Sequence, residues 1–425
     1  MKGLKVSLVI MAAALLTIGV SGMAYAFHSG GVAECEGCHS MHSPKAGGSF
    51  LLVGTDQSSA CLSCHEHAGD TGPSSYHIGT ALADLGPGIA PKQRTPGGDF
   101  GWLTKTYTFT ASGVTTTEDG ATHGHNIVAV DNGYVADPTN TTAPGGSFPS
   151  AQLSCTSCHD PHGQYRRLQS GAIAKTGAPI KASGSYNAAG NEPTATEAVG
   201  VYRILAGAGY TKDGITFAGV PAAKVPSTYN QTEATNQVRA AYGVSTASGH
   251  VTWGQWCATC HQSMHSTGNY VHPVDQGLGS ATANLYNQYV KSGDMTGTST
   301  NSFLSLTPFA TNSGDYTVLA GLASNTGAAA SLVGPSSTDQ VNCLSCHRAH
   351  ASGMVEALRF DNGYEFVTVG GQYIGSDNPN MTSARAPLQH RGRTMAEWQA
   401  AYYDRPATRW ATYQRVLCNK CHAKD

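Results

Sequence analysis

The sequence predicts one mostly irregular unit, with a few short α-helices and minimal β-structure, wrapped around bound prosthetic groups. Among 425 residues, 51 are glycine and 19 are proline, so every long apolar stretch is interrupted. There are only 10 Phe and 5 Trp, whereas all 12 cysteines occur in close pairs. Chains of this kind usually need disulfides, metals or cofactors for stability. We therefore expect residues 27–425 to form a single domain whose core comes from bound groups rather than from its own side chains.

The N-terminus has the pattern of a secretory signal peptide. Two lysines precede an apolar run from Val6 to Val20, and Ala-Tyr-Ala at 24–26 matches a cleavage site. The run is shorter than the roughly 18–20 apolar residues of a membrane span. We predict that residues 1–26 are removed and that the mature chain reaches the outside through the periplasm, without a membrane span. It keeps 23 basic and 27 acidic residues without a basic stripe, so nucleic acid is not an expected partner.

The motif C-x-x-C-H occurs six times and uses every cysteine. This pattern is typical of covalent haem attachment, because two thiols one turn apart reach the two vinyl groups of one porphyrin. The histidine beside the second thiol then becomes the proximal iron ligand. The six motifs, numbered in sequence order, are Cys35-Cys38-His39, Cys61-Cys64-His65, Cys155-Cys158-His159, Cys257-Cys260-His261, Cys343-Cys346-His347 and Cys418-Cys421-His422.

Three other interpretations compete for paired cysteines. A secreted chain with an even cysteine count suggests a disulfide framework. Pairs spaced C-x-x-C also bind zinc or form redox dithiols. None of these requires a histidine directly after the second cysteine, and here that histidine follows six times out of six. The sequence therefore predicts six haem c groups.

Twelve histidines remain for the six distal positions, which is enough for bis-histidine ligation throughout. Met41 and Met264 lie near motifs, but a histidine follows each of them (His42 and His265). Methionine would raise the potential of a haem. We therefore expect six low-spin, low-potential haems without an open iron position.

Position along the chain narrows the choice of distal ligands. Histidines three residues after a proximal histidine cannot reach the same iron, so they suggest haems packed in close pairs. Others lie in loops bounded by Gly or Pro, where backbone can approach a porphyrin. The predicted distal ligands are His28, His42, His125, His162, His272 and His350, with His77 as the next candidate, followed by His67 and His265. We expect His123, His250 and His390 at the surface.

Local patterns predict little regular structure. Helices are expected at 280–291, 353–360 and 394–403, and strands at 105–110 and 315–319. Each haem adds two propionates, and arginines that hold such groups form strong bidentate pairs. Candidates for this role are Arg166, Arg167, Arg203, Arg348, Arg391 and Arg393.

Seven longer segments carry a resemblance that covers nearly the whole mature chain. They are FHSGGVAECEGCHSMH at 27–42, HAGDTGPSSYHI at 67–78, TPGGDFGW at 95–102, SCHDPHGQYRR at 157–167, VPSTYNQTEAT at 225–235, VNCLSCHRAHASG at 341–353 and YQRVLCNKCHAKD at 413–425. Together they resemble the hexahaem outer-surface c-type cytochromes of metal-reducing bacteria.

That resemblance implies more than the motifs do. Members of the family polymerise head to tail into extracellular filaments with a continuous stack of haems. The match implies that His42 crosses the subunit interface and ligates the haem of Cys343, Cys346 and His347 in the neighbouring copy. The implied partners are further copies of the chain, other cytochromes and extracellular electron acceptors such as metal oxides. The segment around 370–395 departs from the family pattern.

Two other functions remain open at the level of the sequence. A monomeric periplasmic electron shuttle would share all the haem chemistry, and composition does not separate it from a filament. A multihaem reductase would need one haem with an open face, whereas the spare histidines suffice to cap all six irons. The leading prediction is extracellular electron transfer by a polymeric cytochrome that is not an enzyme.

Overall fold

The structure, a computed structural model, describes residues 35–42, 44–45, 49–67, 72–186, 192–265 and 272–422. The predicted signal peptide and His28 lie outside these residues. Short helices and small sheets alternate with long irregular segments, as the sequence predicts. The α-helices are α1 (Cys35–Cys38), α2 (Gln57–His65), α3 (Trp253–Cys257), α4 (Gly279–Gln288), α5 (Tyr316–Leu322), α6 (Ala386–His390), α7 (Met395–Ala401) and α8 (Asn419–His422).

The strands form five small sheets in the described part of the chain, with orders β1-β2, β4-β3-β6-β5, β7-β8, β11-β10-β9 and β12-β13. Most strands have two to five residues, so no sheet supplies a continuous layer. Their bounds are β1 (Tyr107–Ala111), β2 (Val114–Glu118), β3 (Arg166–Arg167), β4 (Ile173–Ala174), β5 (Ile180–Ser183), β6 (Ala198–Gly200), β7 (Thr211–Lys212), β8 (Ile215–Thr216), β9 (Ala222–Lys224), β10 (Ala241–Gly243), β11 (Ala310–Thr311), β12 (Thr368–Val369) and β13 (Gln372–Tyr373).

The longest pairing is the antiparallel hairpin of β1 and β2. Its two-residue turn, Ser112-Gly113, has φ of 52° and 78°, which is the type I′ geometry that matches the twist of the strands. Tyr107 and Ala111 point into the core, whereas β2 is mostly exposed. The strand predicted at 105–110 is therefore confirmed, and it forms at Tyr107–Ala111.

Two of the three predicted helices are confirmed, as α4 and α7. The predicted helix at 353–360 is wrong, because only a 3₁₀ turn forms at Val355–Ala357, where Glu356 and Ala357 have positive φ. The predicted strand at 315–319 is also wrong, because α5 occupies it. The Asp315 carboxylate accepts hydrogen bonds from the backbone N–H groups of Thr317 and Val318, and this cap outweighs β-branched side chains on an exposed helix face.

The expectation that the chain lacks a core of its own is wrong. A cluster of aromatic and aliphatic side chains centres on Trp398, Tyr402 and Trp102, each at most 3% exposed. A second cluster packs around Trp253 and Tyr242. Smaller clusters contain further aromatic residues, among them Phe217 and Tyr286, and burial of each such side chain contributes about 2–3 kcal/mol. These clusters hold the irregular segments that carry the motifs.

Candidate haem sites

Each C-x-x-C-H motif folds as a single helical turn. In five motifs the histidine backbone N–H donates to the carbonyl of the first cysteine over 2.8–3.1 Å, and the remaining motif ends α2. Polar residues precede four of the motifs. Asp56 and Thr252 cap the helices that contain the second and fourth motifs, because their side chains accept hydrogen bonds from the backbone N–H groups of Ser59 and Gln255. At the third and fifth motifs the Ser157 and Ser345 hydroxyls accept from the backbone N–H groups of Ser154 and Asn342. The turn gathers two thiols and an imidazole into one compact group.

The motif histidines are oriented by backbone carbonyls. In the first five motifs Nδ1 donates to a carbonyl oxygen over 2.8–3.0 Å, which leaves Nε2 as the nitrogen available for a metal. The pairs are His39 with Phe50, His65 with Tyr76, His159 with Arg203, His261 with Pro144 and His347 with Glu356. Metal-binding histidines usually make this second bond, because it fixes the tautomer and the ring orientation.

Three motifs share a further backbone feature, which we call a strap. The straps are the three-residue segments Phe50–Leu52, Arg203–Leu205 and Glu356–Leu358, next to the first, third and fifth motifs. In each, the first residue accepts the hydrogen bond from the motif histidine, and the leucine pairs with that histidine in a β-bridge. The first two residues of every strap have φ between 48° and 61°. Such left-handed conformations cost about 1–3 kcal/mol each outside glycine, so the surrounding contacts must impose them.

Further backbone hydrogen bonds hold each strap on both sides. In the third motif, Asp160 N–H donates to the Ile204 carbonyl over 2.8 Å, and Ala206 N–H donates to the Cys158 carbonyl over 2.9 Å. Equivalent bonds, of 2.7–3.0 Å, join the strap to the motif at the first and fifth positions. The three motifs that continue to a second histidine after three residues, as C-H-x-x-H, are the ones that have straps.

Three motif histidines face a second histidine at a common separation. Ring centroids are 6.0 Å apart for His125 and His261, 6.5 Å for His159 and His350, and 6.1 Å for His272 and His422. Two imidazoles bound to opposite faces of one metal, at about 2.0–2.1 Å per metal–nitrogen bond, have ring centres about 6 Å apart. The interplanar angles of 55–62° exclude simple ring stacking. The structure thus brings three predicted distal histidines opposite three predicted proximal ones.

Burial favours the neutral form of several motif and facing histidines, as ligation requires. Burial and the nearby His261 lower the pKa of His125 to about 4, and burial and the nearby His159 lower the pKa of His350 to about 3. Burial also lowers the pKa of His65 and of His347. A neutral imidazole offers a lone pair to a metal at physiological pH.

The other predicted distal histidines occupy different surroundings. His42 and His162 are exposed. His77 is buried, its Nδ1 lies 3.0 Å from the Ser75 hydroxyl, and its ring stacks on His67 with centroids 5.3 Å apart. The second-rank candidate His265 instead pairs with the Asp275 carboxylate over 3.0 Å.

The prediction that His123, His250 and His390 lie at the surface is wrong. His123 is fully buried, with Nδ1 3.0 Å from the Trp102 carbonyl and Nε2 2.9 Å from the Glu118 carboxylate. His390 is buried and His250 is partly buried between two backbone carbonyls. The chain pattern around these residues resembles that of loop histidines, so only tertiary packing distinguishes them.

Thiols of consecutive motifs are neighbours, and all twelve cysteines are free. In all five neighbouring pairs the thiols lie close enough to interact electrostatically. In sequence order the neighbours are Cys38 and Cys64, Cys61 and Cys155, Cys158 and Cys260, Cys257 and Cys343, and Cys346 and Cys418. The six motifs therefore form a continuous spatial series from the first to the sixth.

Several buried arginine nitrogens have no hydrogen-bond partner, and they indicate whether an acidic prosthetic group fits beside the motifs. Arg203 has Nε and Nη2 buried without a hydrogen-bond partner, and Nε of Arg348 is in the same state. Arg166 and Arg167 each have an unpaired buried Nε. Leaving such donors without an acceptor is costly, so carboxylates such as haem propionates fit here. Arg391 differs, because its guanidinium already pairs with Glu118 and Asp361.

Comparisons with known proteins agree with the geometry. No protein-family model matches the chain. The curated C-type cytochrome OmcS of Geobacter sulfurreducens is 53% identical, in an alignment that covers all of both chains.

Two solved structures show the same fold. One is described as cryo-EM of the OmcS nanowires from Geobacter sulfurreducens, with 52% identity, and the other as an outer membrane cytochrome S filament from the same organism, with 53% identity. Each match has a TM-score of 0.84 and covers 94% of this chain and 100% of the solved chain.

Proposed function

This chain belongs to the OmcS family of c-type cytochromes, and we propose that it conducts electrons outside the cell as the subunit of a polymeric filament with six haem c groups. The observation that carries the proposal is the series of neighbouring cysteines, which supports the attachment of consecutive haems side by side. When bound, haem supplies reversible one-electron chemistry, whereas the polypeptide supplies attachment, spacing and burial. Within the described residues no helix has the length and apolarity of a membrane span.

We assign the six motif histidines as proximal ligands and the twelve motif cysteines as thioether sites. His125, His350 and His272 are the proposed distal ligands of the fourth, third and sixth haems, since each ring faces the corresponding motif histidine at 6.0–6.5 Å. His28 and His77 are candidates for the second haem.

The straps extend this assignment by repetition. His350 follows the fifth motif and faces His159 of the third, two motifs earlier. The first and third motifs have the same strap geometry. By the same rule His162, which follows the third motif, is the proposed distal ligand of the first haem, opposite His39. In a filament, the motif two positions before the first one is the fifth motif of the adjacent copy. His42 is then the distal ligand of the haem at His347 in that copy.

Exposed apolar side chains around the first motif fit a subunit contact. Met41 is 79% exposed and Phe50 is 73% exposed, beside the exposed His42. Apolar patches of this kind often mark interaction surfaces. A contact between the first motif of one copy and the fifth motif of the next is heterologous, and a heterologous contact that does not close produces an open filament. We propose that filaments are secreted to the outer surface and pass electrons to external acceptors such as metal oxides.

Replacing His42 by Ala tests the interface. We expect no filaments by negative-stain electron microscopy of the secreted protein, and one five-coordinate haem in six by its high-spin absorbance. The control variant His250→Ala, at a histidine that lies between two backbone carbonyls, should retain both filaments and low-spin spectra. Filaments of His42→Ala with six low-spin haems would contradict the interface ligand. A measured protein mass that lacks the added mass of six haems would contradict the whole proposal.

A filament-free wild-type protein with six low-spin haems would favour a monomeric electron shuttle. High-spin haem in the wild type, with spectral shifts on adding nitrite or cyanide, would favour a reductase. Both outcomes are read from the same preparations.

A further inference from the structure

The three straps share one backbone geometry but differ in the charge of the residue whose carbonyl contacts the motif histidine. That residue is Phe50 at the first motif, Arg203 at the third and Glu356 at the fifth. Its own carbonyl oxygen lies 2.8 Å from Nδ1 of the histidine in every case. The same position beside the ring therefore carries no charge, a positive charge and a negative charge.

Arg203 places its charge where two motifs meet. Its guanidinium lies over the Tyr229 ring, 4.4 Å from the ring centroid, and Nε and Nη2 are buried without hydrogen-bond partners. The Arg203 carbonyl oxygen lies 2.8 Å from Nδ1 of His159, so the residue lies directly beside the third motif. Arg203 therefore carries a buried positive charge next to the proposed third haem.

Glu356 places the opposite charge beside the fifth motif. The Glu356 carbonyl oxygen lies 2.8 Å from Nδ1 of His347, so the residue lies beside the fifth motif, where Nε of the buried Arg359 also donates to the His347 carbonyl. The Glu356 side chain is exposed, so solvent and salt screen its charge more than that of Arg203. The φ of 59° at Glu356 and 48° at Arg203 shows that the strap holds both residues in strained conformations.

A nearby positive charge favours the reduced state of an iron centre, because reduction removes one unit of positive charge, and a negative charge favours the oxidised state. At an effective dielectric constant of about 20, a charge several ångströms from the iron is enough to change the reduced-to-oxidised ratio roughly tenfold. Buried charges keep more of this effect than exposed ones. The two side chains therefore act in opposite directions on their haems.

We propose that the first strap residue sets the potential of the adjacent haem, raising it at the third motif through Arg203 and lowering it at the fifth through Glu356. Arg203 and Glu356 act as positioning residues through their carbonyls and as electrostatic residues through their side chains. The inference rests on the proposed haem attachment. Loss of the strap charge should therefore shift the potentials of the third and fifth haems in opposite directions.

Redox titration followed by haem absorbance tests the inference in secreted full-length variants. Mass spectrometry first establishes six haems per chain, and a lower number in the wild type would contradict the proposed function rather than this inference. Arg203→Gln should move titration components to lower potential, with a roughly tenfold lower reduced-to-oxidised ratio at the wild-type midpoint. Arg203→Lys should restore most of the difference, which a purely structural role would not require.

Variants of Glu356 test the proposal independently of those of Arg203. The Glu356 side chain is exposed, so its replacement does not disturb the core. Glu356→Gln should move one component to higher potential, with a roughly twofold higher reduced-to-oxidised ratio, and Glu356→Lys should move it further. The control Glu197→Gln removes an exposed carboxylate that pairs with Lys181, and it should leave all components unchanged. Unchanged potentials in the Glu356 variants, or shifts of one sign in both series, would overturn the proposal.

Discussion

The rings of His159 and His350 face each other with centroids 6.5 Å apart and planes at 59°, although His159 ends the third motif and His350 lies three residues beyond the fifth. Because His350 follows the fifth motif and His159 completes the third, one short peptide segment contributes to two sites. Moving either motif would therefore disturb both. This sharing explains how irregular backbone can hold six sites at fixed spacing.

Replacing His350 by Ala should leave the third haem five-coordinate. We expect a high-spin signal and carbon monoxide binding at about one haem in six, because the remaining axial pairs are independent. Absorbance and electron paramagnetic resonance spectra measure the change. The control His390→Ala removes a buried histidine whose Nδ1 accepts from Gly392 N–H, and it should stay fully low-spin. Equal high-spin fractions in both variants would contradict the pairing.

Glu118→Gln should destabilise the protein by about 3 kcal/mol, because it removes one partner of a buried ion network. The Glu118 carboxylate accepts hydrogen bonds from Arg393, Arg391 and His123, and it joins β2 to the C-terminal region. Denaturant unfolding followed by near-ultraviolet circular dichroism measures the loss.

The control for Glu118→Gln is Glu365→Gln. Glu365 forms an ion pair with Arg415 in which both side chains are more than 40% exposed. Such pairs contribute about 0–1 kcal/mol. Similar losses in the two variants would show that the buried network has no special role.

Acid should destabilise the fold through the same carboxylate. Burial opposes ionisation of Glu118, but hydrogen bonds and charges from His123 and Arg393 lower its pKa from 4.5 to about 2. A lowered pKa contributes stability above the unfolded value, and that stability is lost as pH falls from about 4.5 towards 2. We expect a contribution on the order of 3 kcal/mol. Melting temperatures of the wild type and of Glu118→Gln should converge over this range, and a constant difference would contradict the assignment.

Ser112→Asn should stabilise the hairpin of β1 and β2 by a few tenths of a kcal/mol, since asparagine tolerates the φ of 52° better than serine does. The residue is exposed, so packing does not change. Thermal unfolding measures the gain. The matched variant Val114→Asn places the same side chain at an exposed strand position with ordinary φ, and it should be neutral or destabilising. Destabilisation by Ser112→Asn would contradict the turn assignment.

Regular structure was predictable where local signals were strong and not where tertiary contacts decided the backbone. The helix α7 begins at a capping box between Thr394 and Glu397, which can be read from four residues of sequence. Glu356 and Ala357 instead lie in a strap, and no local signal marks their positive φ. The helix α5 begins at an N-cap residue, Asp315, that is recognisable in the sequence. The β-branched residues after it favoured the incorrect prediction of a strand.

The six C-x-x-C-H motifs could be read from the sequence, and haem attachment could be predicted from them, because that chemistry depends on residues within one helical turn. The mostly irregular fold was also predictable, since Gly and Pro interrupt every long apolar run. Which distant histidines face the motifs, which carbonyls orient them and why His123 is buried against Glu118 became clear from the three-dimensional structure. Imidazoles are chemically identical in sequence, so their roles depend on packing between segments far apart in the chain.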